Sequence, residues 1–161
     1  MLVYLDLISN DPILSDAYPW VELRYQGQTL AGIMAVQSQL VLKTGSAEPD
    51  MKVNNIIDTD LGFGYEGPSA LSNVEFISLY KNWCNRVKQK LEDSGKNSRP
   101  FMASAKAFMD FTRKEYSRFE IYSPKSFNVE TFIVGWWDED DHALGCPKFL
   151  YFKDALQEKK V

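Results

Sequence analysis

Apolar and polar positions follow two different periods along this chain, and the change from one to the other divides it. At the start, Val3, Leu5 and Leu7 fall on one face of an extended segment, with Leu2, Tyr4, Asp6 and Ile8 on the other, which predicts a strand. Asn10-Asp11-Pro12 is expected to stop that strand, because proline has no N–H to donate and Asn and Asp favour turns. Residues 16–20 read as a turn, and residues 21–25 and 33–42 as strands. Residues 44–50 have loop chemistry, so a flexible loop is expected over about 44–58, with a short strand possible at 54–58. Three glycines and Pro68 make residues 60–69 a further loop.

Near Ser72 the period lengthens. Phe76, Tyr80, Cys84, Val87 and Leu91 recur in steps of four, four, three and four, the stripe of a helix over 73–92. Ser72 and Glu75 have the spacing of a capping box, and Ser94-Gly95 suits the C-terminal end. Ser98 is expected to cap a second helix with Pro100 in its first turn, and Phe101, Ala105, Phe108 and Thr112 continue one face. The short link predicts an antiparallel helical hairpin over about 73–117. The two-residue period then returns. Residues 119–122 read as a strand, and 131–137 with 148–152 as a β-hairpin closed by 138–147. The fold class expected is α+β, mainly antiparallel β with an inserted α-helical hairpin, in one domain over 1–161.

Composition adds bounds. Hydrophobic residues at 45% and aromatics at 14% supply a core. A net charge of −4 argues against nonspecific nucleic-acid binding by the whole molecule. No apolar run reaches the roughly 18 residues that span a bilayer. The N-terminal residues lack the basic region of a secretory signal, and Cys84 and Cys146 are too few for a disulfide framework. The expectation is a cytoplasmic location.

Three patterns could carry chemistry. Gly62-Phe63-Gly64-Tyr65-Glu66-Gly67 matches G-x-G-x-x-G, but Pro68 and Ser69 follow where a nucleotide fingerprint needs a helix to begin, so a glycine loop is the simpler reading. Asp138-Glu139-Asp140-Asp141 lies beside His142. At a strand end alternate carboxylates share a face, so Asp138 and Asp140 form the weak calcium candidate, set against a solvated hairpin tip. One histidine and two distant cysteines do not make a zinc site, and no nucleophile surrounds His142, so no catalytic residue is assigned.

Charge is distributed unevenly. Residues 81–118 hold ten Lys/Arg and four Asp/Glu, giving +6, and the remaining eight basic and eighteen acidic residues give −10. A basic hairpin on an acidic body could steer toward an acidic partner, with Lys88, Lys90 and Arg113 as contacts, or it is simply a solvated helix face.

The chain resembles the translationally controlled tumour protein family. The opening M-L-V-Y-L-D-L-I-S-N-D matches at Tyr4, Asp6, Leu7, Ile8, Ser9 and Asp11, and Ser15-Asp16 and Tyr18 continue the match. Pro100-Phe101-Met102 is similar to the family's helix-opening P-F-M, and residues 149–156 to its closing strand and F-K-D-G-L segment. The resemblance implies a β-tent with a projecting helical hairpin, similar to a zinc-containing chaperone of Rab GTPases but in a zinc-free branch. It implies a non-enzymatic, cytosolic regulator of growth and survival. Calcium binding, tubulin or microtubule binding and contact with a small GTPase come with it. The alternative it offers is a guanine-nucleotide exchange factor or nucleotide-free chaperone for a Rab- or Rheb-like GTPase, facing Asp11, Pro12 and Asp16. The sequence also departs from the family. The long acidic, glycine-rich loop has no clear counterpart, Pro12 stands where many members have glutamate, and Ala155 replaces glycine. Val161 stands where vertebrate members carry a cysteine, which leaves a monomer as the expectation.

Overall fold

The computed structural model describes residues 1–43, 45, 48 and 50–161. Thr44, Ser46, Ala47 and Pro49, in the expected flexible loop, lie outside the described residues. In chain order the strands are β1 (Leu2–Asp6), β2 (Pro12–Ser15), β3 (Val21–Tyr25), β4 (Gln28–Gln37), β5 (Leu40–Leu42), β6 (Lys52–Asn54) and β7 (Glu66–Ser69). Then follow helices α1 (Asn73–Asp93) and α2 (Arg99–Glu115), strands β8 (Phe119–Ser123) and β9 (Ile133–Trp136), the short helix α3 (Asp141–Leu144), and strands β10 (Lys148–Phe152) and β11 (Leu156–Lys160). Six strands form one sheet in the order β3-β4-β10-β9-β8-β7, three form a second in the order β11-β1-β2, and β5 and β6 make a separate ribbon. Every pairing is antiparallel.

The six-stranded sheet is apolar on both faces, and alternation along its strands sorts the core in two. Ile33, Ala35, Val134, Trp136, Leu150 and Phe152 face the helices, where they meet Phe76, Tyr80, Trp83, Val87, Phe101 and Phe108. Met34, Val36, Ile133, Phe149 and Tyr151 face the other way, onto Ile13 and Leu14 of β2 and onto Ile56 and Tyr65. One glycine sets the distance between α2 and the sheet. Gly32, at φ +80°, sits at a bulge in β4, and a Cβ there would lie 2.4 Å from Ser104 Oγ. The Ser104 hydroxyl donates to the Ala31 carbonyl at 2.7 Å, tying the helix to the bulge.

Several expectations are corrected. β1 ends at Asp6, and Pro12 does not stop it: the turn lies before Pro12, which opens β2 opposite Leu5 at the edge of the three-stranded sheet, a position that tolerates proline. The short strand expected over 54–58 sits at Lys52–Asn54 instead, and residues 66–69 are an edge strand rather than loop. Ser98 makes no side-chain cap. Its neighbour Asn97 accepts the Arg99 N–H at 3.1 Å. The β9–β10 connection contains a helical turn, α3. The Ser72/Glu75 capping box is present in both directions.

Candidate partner-binding surface

α1 and α2 turn their apolar stripes to the sheet, and that leaves their charged residues in water. The stripe on α1 is Phe76, Tyr80, Cys84, Val87 and Leu91, joined by Trp83, all buried. On α2 it is Phe101, Ala105, Phe108 and Thr112, joined by Ser104 and Phe111. The Tyr80 hydroxyl donates to the Ala105 carbonyl at 2.7 Å and pins the two helices together. Burial pushes the Cys84 thiol up to about 11, so it stays protonated and unreactive near neutral pH.

Between the helices a groove of about 460 Å³ opens to solvent. Tyr80, Cys84, Met102, Ala105 and Met109 line its depth, and Lys81, Lys106 and Arg113 stand at its rim. Met102, Lys106, Met109 and Arg113 recur in steps of four, three and four, so they form one row along α2. One acid, Asp110, also stands at the rim and pairs loosely with Arg113 at 3.8 Å.

The three basic residues expected to contact a partner part company. Lys88 is exposed on α1, seven positions after Lys81 and so on the same side of the helix. Arg113 is exposed at the groove rim. Lys90 has a structural task instead: its Nζ donates to the Leu7 carbonyl at 3.1 Å, holding the end of α1 against the N-terminal turn.

That turn is built around the buried Asp6. Its carboxylate accepts the N–H of Ile8 at 3.1 Å, the N–H of Ser9 at 2.7 Å and the Thr131 hydroxyl at 3.0 Å. Backbone bonds from Asp6 N–H to the Asp11 carbonyl and from Asn10 N–H to the Asp6 carbonyl, both 2.8 Å, close the loop. The Asp11 carboxylate accepts the Ser126 hydroxyl at 2.6 Å. Pro12 and Asp16 are exposed, at the two ends of β2. Asp11, Pro12 and Asp16 therefore frame an edge tied down by hydrogen bonds, and Asp11 is already engaged.

The acidic run is not a strand end with alternating carboxylates. Asp141 is 0% exposed, accepts both the Asp138 N–H at 2.9 Å and Lys148 Nζ at 3.0 Å, and starts α3. Asp138 also faces Lys148 Nζ, at 3.5 Å, while Asp140 points to solvent. A calcium ion needs several oxygens converging on one point. With Lys148 holding Asp138, the pair Asp138 and Asp140 does not fit that need. Among the described residues, no three His, Cys, Asp or Glu are placed to hold a metal ion. His142 lies flat on Trp137, with ring centroids 5.1 Å apart. The glycine motif folds as a turn, with the Gly62 N–H donating to the Asp58 carbonyl at 2.8 Å, and runs into β7 rather than into a helix. No helix among the described residues is long and apolar enough to cross a membrane.

Two features escaped the sequence reading. The groove joins rows on different helices, and only the spacing of Met102 and Met109, seven apart, hinted at a second apolar row on α2. The role of Asp141 was hidden among its acidic neighbours.

The profile of the family described as Translationally controlled tumour protein matches residues 1–157. The chain is 26% identical over 171 residues to the Translationally-controlled tumor protein homolog of Scophthalmus maximus, covering 99% of each. It is 24% identical over 172 residues to the homolog of Danio rerio, again with 99% of each covered. Among solved structures, the Translationally Controlled Tumor-associated Protein p23fyp from Schizosaccharomyces pombe is similar over 100% of both chains, with a TM-score of 0.77 and 22% identity, a likeness of fold.

Proposed function

The chain belongs to the translationally controlled tumour protein family, and we propose that it is a non-enzymatic regulator, as the resemblance implies, and works by binding protein partners through its basic helical hairpin. The partner class is an acidic polypeptide, of which the tail of tubulin is the example that the family resemblance supplies. The observation that carries this reading is the charge division, +6 over residues 81–118 against −10 elsewhere, on helices whose apolar stripes already face the sheet. Lys90 is engaged by the Leu7 carbonyl and Arg86 by Glu130, and the exposed Lys81, Lys88, Lys106 and Arg113 remain to act on a partner. Such a contact is screened by salt over roughly 10 Å at 0.1 M, so it weakens steeply with ionic strength. Microtubule co-sedimentation tests it: binding of the intact protein falls with salt and falls further in a Lys88→Glu/Arg113→Glu variant. Binding that charge reversal leaves unchanged removes the reading.

A second reading rests on the N-terminal turn. Asp11, held by Ser126, and the exposed Pro12 and Asp16 present a preorganised edge, which suits contact with a small GTPase as an exchange factor or nucleotide-free chaperone. Nucleotide release measured over a panel of Rab- and Rheb-like GTPases decides it, and no acceleration by stoichiometric protein removes it.

A further inference from the structure

The groove between α1 and α2 differs from an ordinary solvated helix face in what lies under its charges. Cys84, Met102, Ala105 and Met109 make an apolar floor, and Lys81, Lys106 and Arg113 stand over it. Met102 and Met109 are half-buried, packed against the core on one side and open to the groove on the other. Methionine is unbranched and adapts to irregular apolar guests. The row from Met102 to Arg113 covers eleven residue steps, or about 16 Å of helix, which matches about five residues of extended chain. Three rim cations against one acid, Asp110, select for negative charge.

We propose that this groove takes an acidic polypeptide segment carrying one large apolar side chain. Its carboxylates meet Lys81, Lys106 and Arg113, and its apolar side chain lies between Met102 and Met109. The inference rests on the hairpin being the site for acidic partners, and adds that charge alone does not give the full affinity. A purely acidic tail uses the rim and leaves the floor in water. A tail with an apolar anchor uses both, and burying that anchor is expected to tighten binding about tenfold.

The test is fluorescence anisotropy on the full chain with two fluorescein-labelled peptides of equal length and charge. One alternates Glu and Gly, and the other has a single Leu in place of a central Gly. The leucine peptide is expected to bind about tenfold more tightly. Met102→Gln and Met109→Gln, at half-exposed positions, are each expected to remove that gain while leaving the Glu-Gly peptide unchanged. A Lys106→Glu/Arg113→Glu variant is expected to weaken both peptides, and Lys159→Glu, on β11, neither. Equal affinity for the two peptides, or a leucine gain that survives both methionine variants, overturns the inference and leaves the charge-based function standing. Failure of both peptides to bind at low salt overturns the function and the inference together. Self-association of the protein abolished by the same methionine variants would assign the groove to a second copy of the chain, which also overturns it.

Discussion

The two faces of the six-stranded sheet bury aromatic rings in unequal numbers and by different means. Toward the helices, Phe76, Tyr80, Trp83, Phe101, Phe108, Phe132 and Phe152 form a continuous lattice with ring centroids 5.0–6.2 Å apart. Beside the one bond from the Tyr80 hydroxyl to the Ala105 carbonyl it is held by ring packing, and among the described residues Trp83 Nε1, Trp136 Nε1 and Thr112 Oγ1 are buried there without a hydrogen-bond partner. On the opposite face the polar atoms are paired. The Tyr65 hydroxyl donates to the Ile13 carbonyl and lies 2.7 Å from the Tyr151 hydroxyl, and the Tyr18 hydroxyl donates to the Asn55 carbonyl at 2.7 Å. Those bonds cross between sheets and loops, so they fix where the three-stranded sheet sits. The contrast assigns tasks: ring packing carries the helical hairpin, and hydrogen bonds position the N-terminal turn.

The largest blow to this contrast comes from the lattice. Phe108→Ala is expected to cost about 3–5 kcal/mol in urea unfolding, because Phe108 is fully buried among Tyr80, Phe111, Phe119 and Phe152. A loss below about 1 kcal/mol would mean that the lattice is not tightly packed there.

Next comes a matched pair that separates the faces. Tyr65→Phe leaves the Ile13 carbonyl and the Tyr151 hydroxyl short of a partner and is expected to cost about 1–3 kcal/mol. Thr112→Val removes a hydroxyl that has no partner among the described residues and is expected to be neutral or stabilising. Similar losses from both would erase the distinction.

Alkaline pH sharpens the contrast. Burial, then the neighbouring Tyr151, raises the Tyr65 hydroxyl well above its ordinary 10.0. A group whose pKa is raised on folding contributes stability that is complete below its unfolded pKa and lost as pH rises through the folded one. Stability should therefore decline above about pH 10, and Tyr65→Phe should flatten part of that decline in thermal melts followed against pH.

The smallest effect concerns the joint between the two regions. Lys90→Met is expected to lose about 1 kcal/mol by freeing the Leu7 carbonyl, while leaving acidic-peptide affinity nearly unchanged. A large loss of affinity would return Lys90 to the partner surface.

What could be read in advance follows from where each element gets its stability. α1 was legible because its stripe and its Ser72/Glu75 box are local signals. β11 was not: Leu156–Lys160 is a polar segment, mostly exposed, and it is a strand only because β1 pairs with it along its length. β7 hid for a similar reason, as a fully exposed edge strand containing Gly67 and Pro68 with no apolar alternation to announce it. β2 was masked by the turn chemistry of Asn10-Asp11-Pro12. The charge division of the site was visible in the sequence. Which cations stay free was not, because the partner of Lys90 lies 83 residues away in the chain.

The central claim, that the basic hairpin is the face that meets partners, is tested most directly by amide chemical-shift mapping with an acidic peptide. The account predicts shifts along one side of the hairpin, at Lys81, Cys84, Lys88, Lys106, Met109 and Arg113, with little change at Asp11–Asp16 or Asp138–His142. Shifts confined to the N-terminal turn, with the hairpin silent, would contradict it.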